Sequence, residues 1–359
     1  MVAYFGDAPD RIYQLRQWLP VLERLNDQRR VVVVLRNERS FATAKTLTAL
    51  PLVLAVSQPD LIDLYTAQEY RLAIYVNNSM RNFQSMAEPS IVHVHVDHGE
   101  SDKTSSVSNQ LKAYDKVFVA GPAAEERCVR TLWGFDRSKL VTIGRPPLDG
   151  DFSSVLPQDS RATVLYAPTW QGENEANNFT SVDVLGQQII EALLESGMRV
   201  VYRPHPRVAA MGESAVLEAD NMIRSMISSA NADGGSHFIS TDESILDLFE
   251  DADALIADVS SVSLDFLCLH TDKGLIVTDR HNDRVRMEST SPVGSALGAL
   301  SLETIHQLPE FLDEALNGEF ALETRQELKR LYFGDQDASA ATELFIAAVH
   351  DAIREREEP

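Results

Sequence analysis

The sequence predicts an α/β protein with two doubly wound parallel sheets, one in each half of the chain. Short buried apolar runs alternate with amphipathic helical patterns along most of its length, which is typical of parallel sheets. The alternation stops at the polar, proline-containing stretch 150–160 and then restarts. At 359 residues the chain is also long for a single core, so we expect two domains.

The first half alternates between strands and helices from its start, and we predict that residues 1–152 form one domain. Its run 31–35 is continuous and β-branched, as in a strand that is buried on both faces. Strands are predicted at 2–5, 31–35, 52–56, 72–75, 91–96, 117–120 and 141–143. Helices are predicted at 12–25, with an interruption at Pro20, and at 41–50, 61–67, 79–86 and 123–132.

The second half repeats the alternation after the linker. Strands are predicted at 164–167, 199–202, 238–240, 254–257 and 275–277, and helices at 182–196, 301–318, 321–331 and 338–355. We therefore predict a second domain at 153–335 and a C-terminal helix within 336–359. Two Rossmann-like halves of this kind predict the GT-B arrangement, in which two domains face each other across a cleft.

The net charge of −22 is unevenly distributed. Residues 1–150 carry 18 Lys and Arg against 17 Asp and Glu, whereas residues 151–359 carry 14 against 37. This acidity argues against nucleic acid as a partner of the second half, and solubility is the simpler explanation for it. A phosphorylated ligand would need local groups that act against the general field.

Cysteine usage and hydropathy predict a cytoplasmic protein. Cys128 and Cys268 lie far apart and show neither CxxC nor Cys/His spacing, so we expect no metal site, and we expect no cofactor. The start of the sequence lacks the basic segment and apolar stretch of a secretory signal. No apolar run approaches the roughly 20 residues of a membrane helix.

The helix predicted at 12–25 lies in a basic segment, with seven basic residues from Arg11 to Arg39. With Trp18 among its apolar positions, it has the features of a helix that lies on an anionic membrane surface. The same pattern is typical of a packed helix with a solvated face. Peripheral contact of the N-terminal domain with a membrane therefore stays open.

Four polar clusters follow directly after predicted strands, where an α/β fold places its ligand chemistry. They are His98–Gly99, Thr169–Trp170, Arg203–Pro204–His205 and Asp258–Val259–Ser260–Ser261. Ser260 and Ser261 can hold a phosphate together with the N–H groups of a helix N-terminus, or they can simply cap that helix. Asp258 would repel a phosphate, so we expect it to orient the turn.

The histidines of these clusters lie in different halves of the chain. His98 can take a proton from a hydroxyl nucleophile, and Gly99 lets a ligand approach closely. The alternative for His98 is a structural histidine at a strand end. His205 is fixed between two prolines and flanked by Arg203 and Arg207, which makes a cationic group suited to phosphate. The alternative for His205 is a rigid surface turn.

Six segments occur in a specific order along the chain. They are VDHGESDK (96–103), GRPPLD (144–149), LYAPTW (165–170), RPHP (203–206), DADALIADVSSVSLDF (251–266) and YFGDQDASA (332–340). Each is weak alone, but together they resemble the CDP-glycerol glycerophosphotransferases of teichoic acid and capsule synthesis. In that family a lysine usually follows the histidine–glycine pair shortly, and Lys103 stands there in this sequence.

This resemblance implies a GT-B fold and an enzyme that transfers glycerol phosphate from CDP-glycerol, or a similar CDP-polyol, to a hydroxyl. The implied acceptor is a lipid-linked or polymeric polyol or glycan at the cytoplasmic membrane face. The resemblance also implies that His98 and His205 are essential to transfer. It implies that Thr169, Ser260 and Ser261 help to hold the donor phosphates. We expect His98 to act as the general base.

Two other functions remain open from the sequence. One is a glycosyltransferase that uses a nucleotide sugar on the same scaffold. The other is a non-catalytic nucleotide-binding subunit of a cell-wall complex, against which the paired histidines argue.

Overall fold

The structure is a computed structural model that describes residues 1–103, 106–172, 174–209, 214–317, 320–335 and 340–357. The chain forms two compact units. The first unit contains Met1–Glu100, Ser106–Gly150 and Leu331–Pro359, and the second contains Ser101–Ser105 and Asp151–Arg330. The C-terminal segment therefore belongs to the first unit, and a short segment that follows His98 belongs to the second.

A seven-stranded parallel sheet forms the centre of the first unit. Its strands are β1 (Val2–Phe5), β2 (Val32–Leu35), β3 (Leu52–Leu54), β4 (Leu72–Tyr75), β5 (Val92–His95), β6 (Lys116–Val119) and β7 (Leu140–Thr142). They lie in the order β3-β2-β1-β4-β5-β6-β7, and each neighbouring pair is parallel. The strand order reverses between β1 and β4, which is the topological switch point of this sheet.

The second unit has a six-stranded parallel sheet with the same reversal. Its strands are β8 (Thr163–Ala167), β9 (Arg199–Tyr202), β10 (Phe238–Ile239), β11 (Ala254–Asp258), β12 (Gly274–Thr278) and β13 (Ala299–Leu300). They lie in the order β10-β9-β8-β11-β12-β13, so the switch point is between β8 and β11. The predicted α/β class with two doubly wound parallel sheets is confirmed. The sequence did not predict β13, whose two residues, Ala and Leu, lack the β-branched or aromatic side chains that favour strands.

The helices mostly follow the predicted pattern. They are α1 (Ile12–Gln28), α2 (Glu38–Ala44), α3 (Gln58–Ala67), α4 (Phe83–Met86), α5 (Pro122–Thr131), α6 (Gly186–Glu195), α7 (Ala215–Ala232), α8 (Ile245–Asp251), α9 (Ser261–Leu269), α10 (Arg284–Thr290), α11 (Pro292–Leu297), α12 (Leu308–Asn317), α13 (Phe320–Phe333) and α14 (Ala341–Glu357). The predicted interruption at Pro20 is wrong, because α1 continues through it. Pro20 lies on the exposed side of the helix, where water can solvate the carbonyl that loses its partner.

The core of the first unit explains the amphipathic pattern of α1. Leu15, Trp18 and Leu22 are almost fully buried in that core. The Trp18 ring packs on Phe345 of α14, with ring centroids 5.3 Å apart. The apolar face of α1 is thus used for packing, which favours the packed-helix interpretation over the membrane-surface interpretation. Within the described ranges, no helix is long and apolar enough to cross a membrane.

Candidate functional site

Three of the four predicted polar clusters lie on adjacent strand ends of the second unit. Arg203 and His205 follow β9, Thr169 follows β8, and Ser260 follows β11. Because β9, β8 and β11 are neighbours in the sheet, these residues share its carboxyl edge, and the last two clusters flank the switch point. The structure therefore brings together the residues that the sequence suggested for phosphate binding.

Asp258, at the end of β11, is fully buried and connects the strand ends. One carboxylate oxygen accepts from the Thr169 backbone N–H at 2.6 Å, and the other accepts from the Ser181 N–H at 3.2 Å and the Thr278 hydroxyl at 2.5 Å. Burial raises the pKa of Asp258, while these hydrogen bonds and the charge of Lys103 oppose that effect. Both carboxylate oxygens of Asp258 therefore accept hydrogen bonds from the protein itself.

Ser260 occupies the N-cap position of α9, but its hydroxyl makes no cap hydrogen bond. The Oγ atom is buried and has no hydrogen-bond partner among the described residues. The Ser263 hydroxyl instead donates to the Ser260 carbonyl oxygen at 2.8 Å. The first N–H groups of a helix have no partner within the helix, and Ser261 begins α9. Capping alone therefore does not account for the Ser260 hydroxyl.

Lys103 places a cation at this edge of the second unit. Its Nζ donates to the Thr169 Oγ1 atom at 2.9 Å. Burial lowers the pKa of the Lys103 ammonium to about 8, although the Asp258 carboxylate acts in the opposite direction. The residue patterns gave no reason to expect this contact, and only the family resemblance drew attention to the lysine.

The cluster after β9 contains His205 and its flanking arginines. The Nδ1 atom of His205 accepts from the Arg207 backbone N–H at 3.1 Å. The Arg207 guanidinium lies 3.7 Å from the centre of the Trp170 ring, in a cation–π contact. The Arg203 guanidinium donates to two backbone carbonyl oxygens, that of Pro204 at 2.8 Å and that of Glu243 at 3.5 Å. The cationic group is thus held in place by local backbone and aromatic contacts.

The fourth cluster, His98–Gly99, lies in the first unit, just beyond the end of β5. The turn there depends on Asp97, which has a left-handed backbone with φ of 53°, and not on Gly99, whose φ lies outside the left-handed region. The His98 Nδ1 atom lies 2.8 Å from the Asp97 Oδ1 atom, a close contact without regular hydrogen-bond alignment. Arg145 donates to the His98 carbonyl oxygen at 2.6 Å.

A buried polar network lies at the switch point of the first unit and was not predicted. Asn77 Nδ2, just beyond β4, donates to the Asp7 carboxylate at 2.8 Å and to Gln14 Oε1 at 3.0 Å. The Nε2 atom of Gln14 lies 3.5 Å from the Nε2 atom of His98. Asp7 and Asn77 each follow a strand, which is a signal that the sequence contained. Gln14 had a weaker signal, since it lies one helical turn before the buried Trp18.

Only part of the last family-like segment, 332–340, belongs to the described residues. Its residues 336–339 lie outside the part of the chain that the structure describes. Among the described residues, no group of three or more His, Cys, Asp or Glu side chains is arranged to hold a metal ion.

Comparison with solved structures finds several similar chains. The wall teichoic acid polymerase TagF superposes with a TM-score of 0.62 at 15% identity, over 100% of this chain and 90% of that chain. A putative UDP-N-acetylglucosamine 2-epimerase from Listeria monocytogenes gives a TM-score of 0.66 at 13% identity, over 99% and 96%. The UDP-GlcNAc 2-epimerase from Methanocaldococcus jannaschii gives 0.59 at 12% identity, over 97% and 99%. A search of curated proteins finds no significant match.

At these identities the solved structures establish a shared GT-B-like fold and no more. The family model for CDP-glycerol:poly(glycerophosphate) glycerophosphotransferases is more informative, because it matches residues 73–343, well over half of the chain. That range includes His98, His205 and the three strand-end clusters of the second unit. The chain therefore belongs to the CDP-glycerol:poly(glycerophosphate) glycerophosphotransferase family and is an enzyme of that family.

Proposed function

We propose that this enzyme transfers glycerol phosphate, or a similar polyol phosphate, from a CDP-linked donor to a hydroxyl of a cell-wall or capsule polymer or lipid-linked acceptor. The observation that carries this proposal is the buried Ser260 hydroxyl, which has no partner among the described residues at the N-terminus of α9. The Lys103 ammonium and the Thr169 hydroxyl meet at the neighbouring strand end. A diphosphate supplies acceptors for all of these donors.

In this proposal the acceptor hydroxyl attacks the β-phosphorus of the donor. A new bond forms between the acceptor oxygen and that phosphorus, and the bond from the phosphorus to the bridging oxygen breaks. CMP leaves with the electron pair of the broken bond, and His98 takes the acceptor's proton on its ring nitrogen. Ser260, Ser261 and the first N–H groups of α9 bind the phosphate oxygens, and Asp258 orients this turn.

His205 and Arg203 bind the donor diphosphate and stabilise the negative charge of the leaving CMP. The Nδ1 atom of His205 already accepts a backbone hydrogen bond, so its Nε2 atom is the one that carries a proton toward a ligand. This use of protein donors against developing negative charge is a common way to stabilise a phosphoryl-transfer transition state.

The choice of donor follows the family, whose description names CDP-glycerol and poly(glycerophosphate). The polymerase TagF has also been crystallised as a histidine-to-asparagine variant soaked with CDPG, which gives a TM-score of 0.60 at 14% identity. A polymeric acceptor agrees with the name of that wall teichoic acid polymerase. Action at the inner membrane face is part of the proposal, but α1 cannot supply it through its apolar side, which is buried.

The test is a comparison of donor binding with turnover. CMP release is measured from CDP-glycerol with a poly(glycerol phosphate) acceptor, and donor affinity is measured by calorimetry. We expect His98→Ala to abolish CMP release while the Kd for CDP-glycerol stays within about threefold of the wild-type value. Equal loss of binding and of turnover would overturn this division of labour.

A donor panel decides between the proposal and its rivals. CDP-glycerol, CDP-ribitol and several UDP-sugars are each incubated with enzyme and acceptor. Release of CMP supports the polyol-phosphate transferase, whereas release of UDP supports a nucleotide-sugar glycosyltransferase. Tight CDP binding without turnover on any acceptor would indicate a binding subunit.

A further inference from the structure

We propose that Asp97 is a positioning residue that holds His98 with a proton on Nδ1, so that Nε2 presents its lone pair to the acceptor hydroxyl. This inference rests on the proposed role of His98 as general base. Nothing in the residue patterns singled out Asp97, which the structure places directly against the His98 ring.

The first step is the orientation of the Asn77 and Gln14 side-chain amides, which the Asp7 carboxylate determines. A carboxylate only accepts, so the Asn77 atom 2.8 Å from it is the donating Nδ2. The same Nδ2 lies 3.0 Å from Gln14, so that Gln14 atom is the accepting Oε1. The other end of the Gln14 amide is therefore Nε2, a donor, and it faces the His98 ring at 3.5 Å.

The second step assigns the tautomer of His98. Because the Gln14 Nε2 atom can only donate, the His98 Nε2 atom opposite it must be the acceptor. In a neutral imidazole the proton is then on Nδ1, which lies 2.8 Å from the Asp97 Oδ1 atom. The nearby Asp97 oxygen agrees with this assignment, because an unprotonated Nδ1 would place its lone pair against a carboxylate oxygen. In this tautomer the single lone pair of Nε2 is available for a proton once the acceptor hydroxyl replaces the long Gln14 contact.

The third step concerns the charge and the rigidity of Asp97. Burial acts to raise the pKa of Asp97, but the charge and hydrogen bonds of His98, together with the charge of His95, lower it to about 2. Asp97 is therefore a carboxylate at neutral pH and stabilises the imidazolium that forms when Nε2 takes a proton. The indole of Trp18 donates to the Asp97 carbonyl oxygen at 2.6 Å and fixes the turn.

The fourth step is the backbone of Asp97, which explains how adjacent side chains can meet. Its φ of 53° lies in the left-handed region, which costs free energy for residues other than glycine but is tolerated best by Asp and Asn. In extended strand, neighbouring side chains point to opposite faces. The left-handed residue after β5 breaks that alternation and lets the carboxylate reach the ring of the next residue.

The left-handed backbone of Asp97 also determines which substitutions can test its side chain without disturbing the turn. Asp97→Asn keeps the size and the tolerance for left-handed φ but removes the charge, and Asp97→Gly keeps the backbone and removes the side chain. We expect both variants to lower kcat by about 100-fold or more, with the KM for CDP-glycerol within about threefold. Asp63→Asn, on the exposed side of α3, is the matched control and should retain wild-type kcat.

The tautomer is read separately, by ¹⁵N NMR of protein labelled at histidine, with the His98 signals assigned from their loss in His98→Asn. In the wild type we expect neutral His98 to carry its proton on Nδ1, and in Asp97→Asn we expect the Nε2-protonated form to gain population. Retention of wild-type kcat in Asp97→Asn, or a wild-type His98 protonated on Nε2, would overturn the proposal. Wild-type turnover by His98→Ala would instead refute the proposed base, while the NMR result still decides what Asp97 does to the ring.

Discussion

The two Rossmann-like units place different chemistry at the same topological position. At the switch point of the first unit, Asn77 donates hydrogen bonds to both Asp7 and Gln14 in a buried network. At the switch point of the second unit, the Ser260 hydroxyl has no partner among the described residues, although it is just as buried. The polar side chains at the first switch point therefore have hydrogen-bond partners within the protein, whereas the Ser260 hydroxyl at the second is available to a ligand.

This difference agrees with the different roles that we propose for the two units. A switch point filled by its own amides and carboxylate has little capacity to accept a phosphate, and Asp7 would repel one. The proposed base of the first unit, His98, lies one strand further along, where it follows β5 next to β4. The second unit has the helix N-terminus, the hydroxyls and Lys103 at its switch point, which suits the proposed donor site.

The largest effect on donor binding is expected from Lys103→Met, which removes the half-buried cation and leaves the stem of the side chain. The Kd for CDP-glycerol should rise by about 100-fold, which corresponds to about 2.7 kcal/mol. Lys45→Met, at an exposed lysine of the first unit, is the control and should leave the Kd unchanged. An unchanged Kd in Lys103→Met would place the donor elsewhere. Calorimetry with CDP-glycerol measures both.

A smaller effect, about tenfold on the same Kd, is expected from Ser260→Ala, because one hydroxyl donor to phosphate is lost. The thermal stability of the free protein should not fall, since the Ser260 hydroxyl has no partner to lose. Ser263→Ala is the matched comparison, because that hydroxyl donates to the Ser260 carbonyl oxygen. A fall in Tm for Ser260→Ala without a change in Kd would instead support simple helix capping.

The sequence was informative about the fold because the signals of the fold are local. Buried runs and amphipathic patterns located all seven strands of the first sheet, with ends shifted by at most two residues. The strand-end rule also located Thr169, Ser260 and His205 on adjacent strands. Where the pattern was misleading, as at Pro20, burial of the opposite face of α1 outweighed a local helix penalty of about 3 kcal/mol.

The remainder of the site depends on contacts between residues that are distant in the chain, which no periodic pattern records. Gln14 and His98 are 84 residues apart, and Lys103 and Thr169 are 66 apart. Asp97 was adjacent to a predicted site residue, but only its left-handed backbone turns its carboxylate onto the ring. A sequence shows that an Asp precedes a His and does not show that their side chains meet.

A pH effect of up to about tenfold should separate the charge of Lys103 from its size. The pKa of Lys103 is lowered by burial to about 8, so the ammonium is present below that pH and is lost as the pH rises through it. The donor diphosphate keeps a constant charge over this range, so the Kd for CDP-glycerol should rise between pH 7 and pH 9. In Lys103→Met the Kd should be flat over the same range. A wild-type Kd that does not depend on pH would show that this ammonium does not face the donor.

The smallest effect on donor binding is expected from Asn77→Ala, at the switch point of the first unit. This change removes the hydrogen bonds to Asp7 and Gln14, both buried. Stability should fall by about 1–3 kcal/mol, because a buried carboxylate loses a donor, whereas the Kd for CDP-glycerol should not change. Thermal unfolding and calorimetry on one preparation measure both quantities. Ser260→Ala should show the reverse pattern, weaker donor binding without loss of Tm. If Asn77→Ala weakened donor binding as much as Ser260→Ala does, the first switch point would also belong to the donor site, and the two units would not divide the reaction between them.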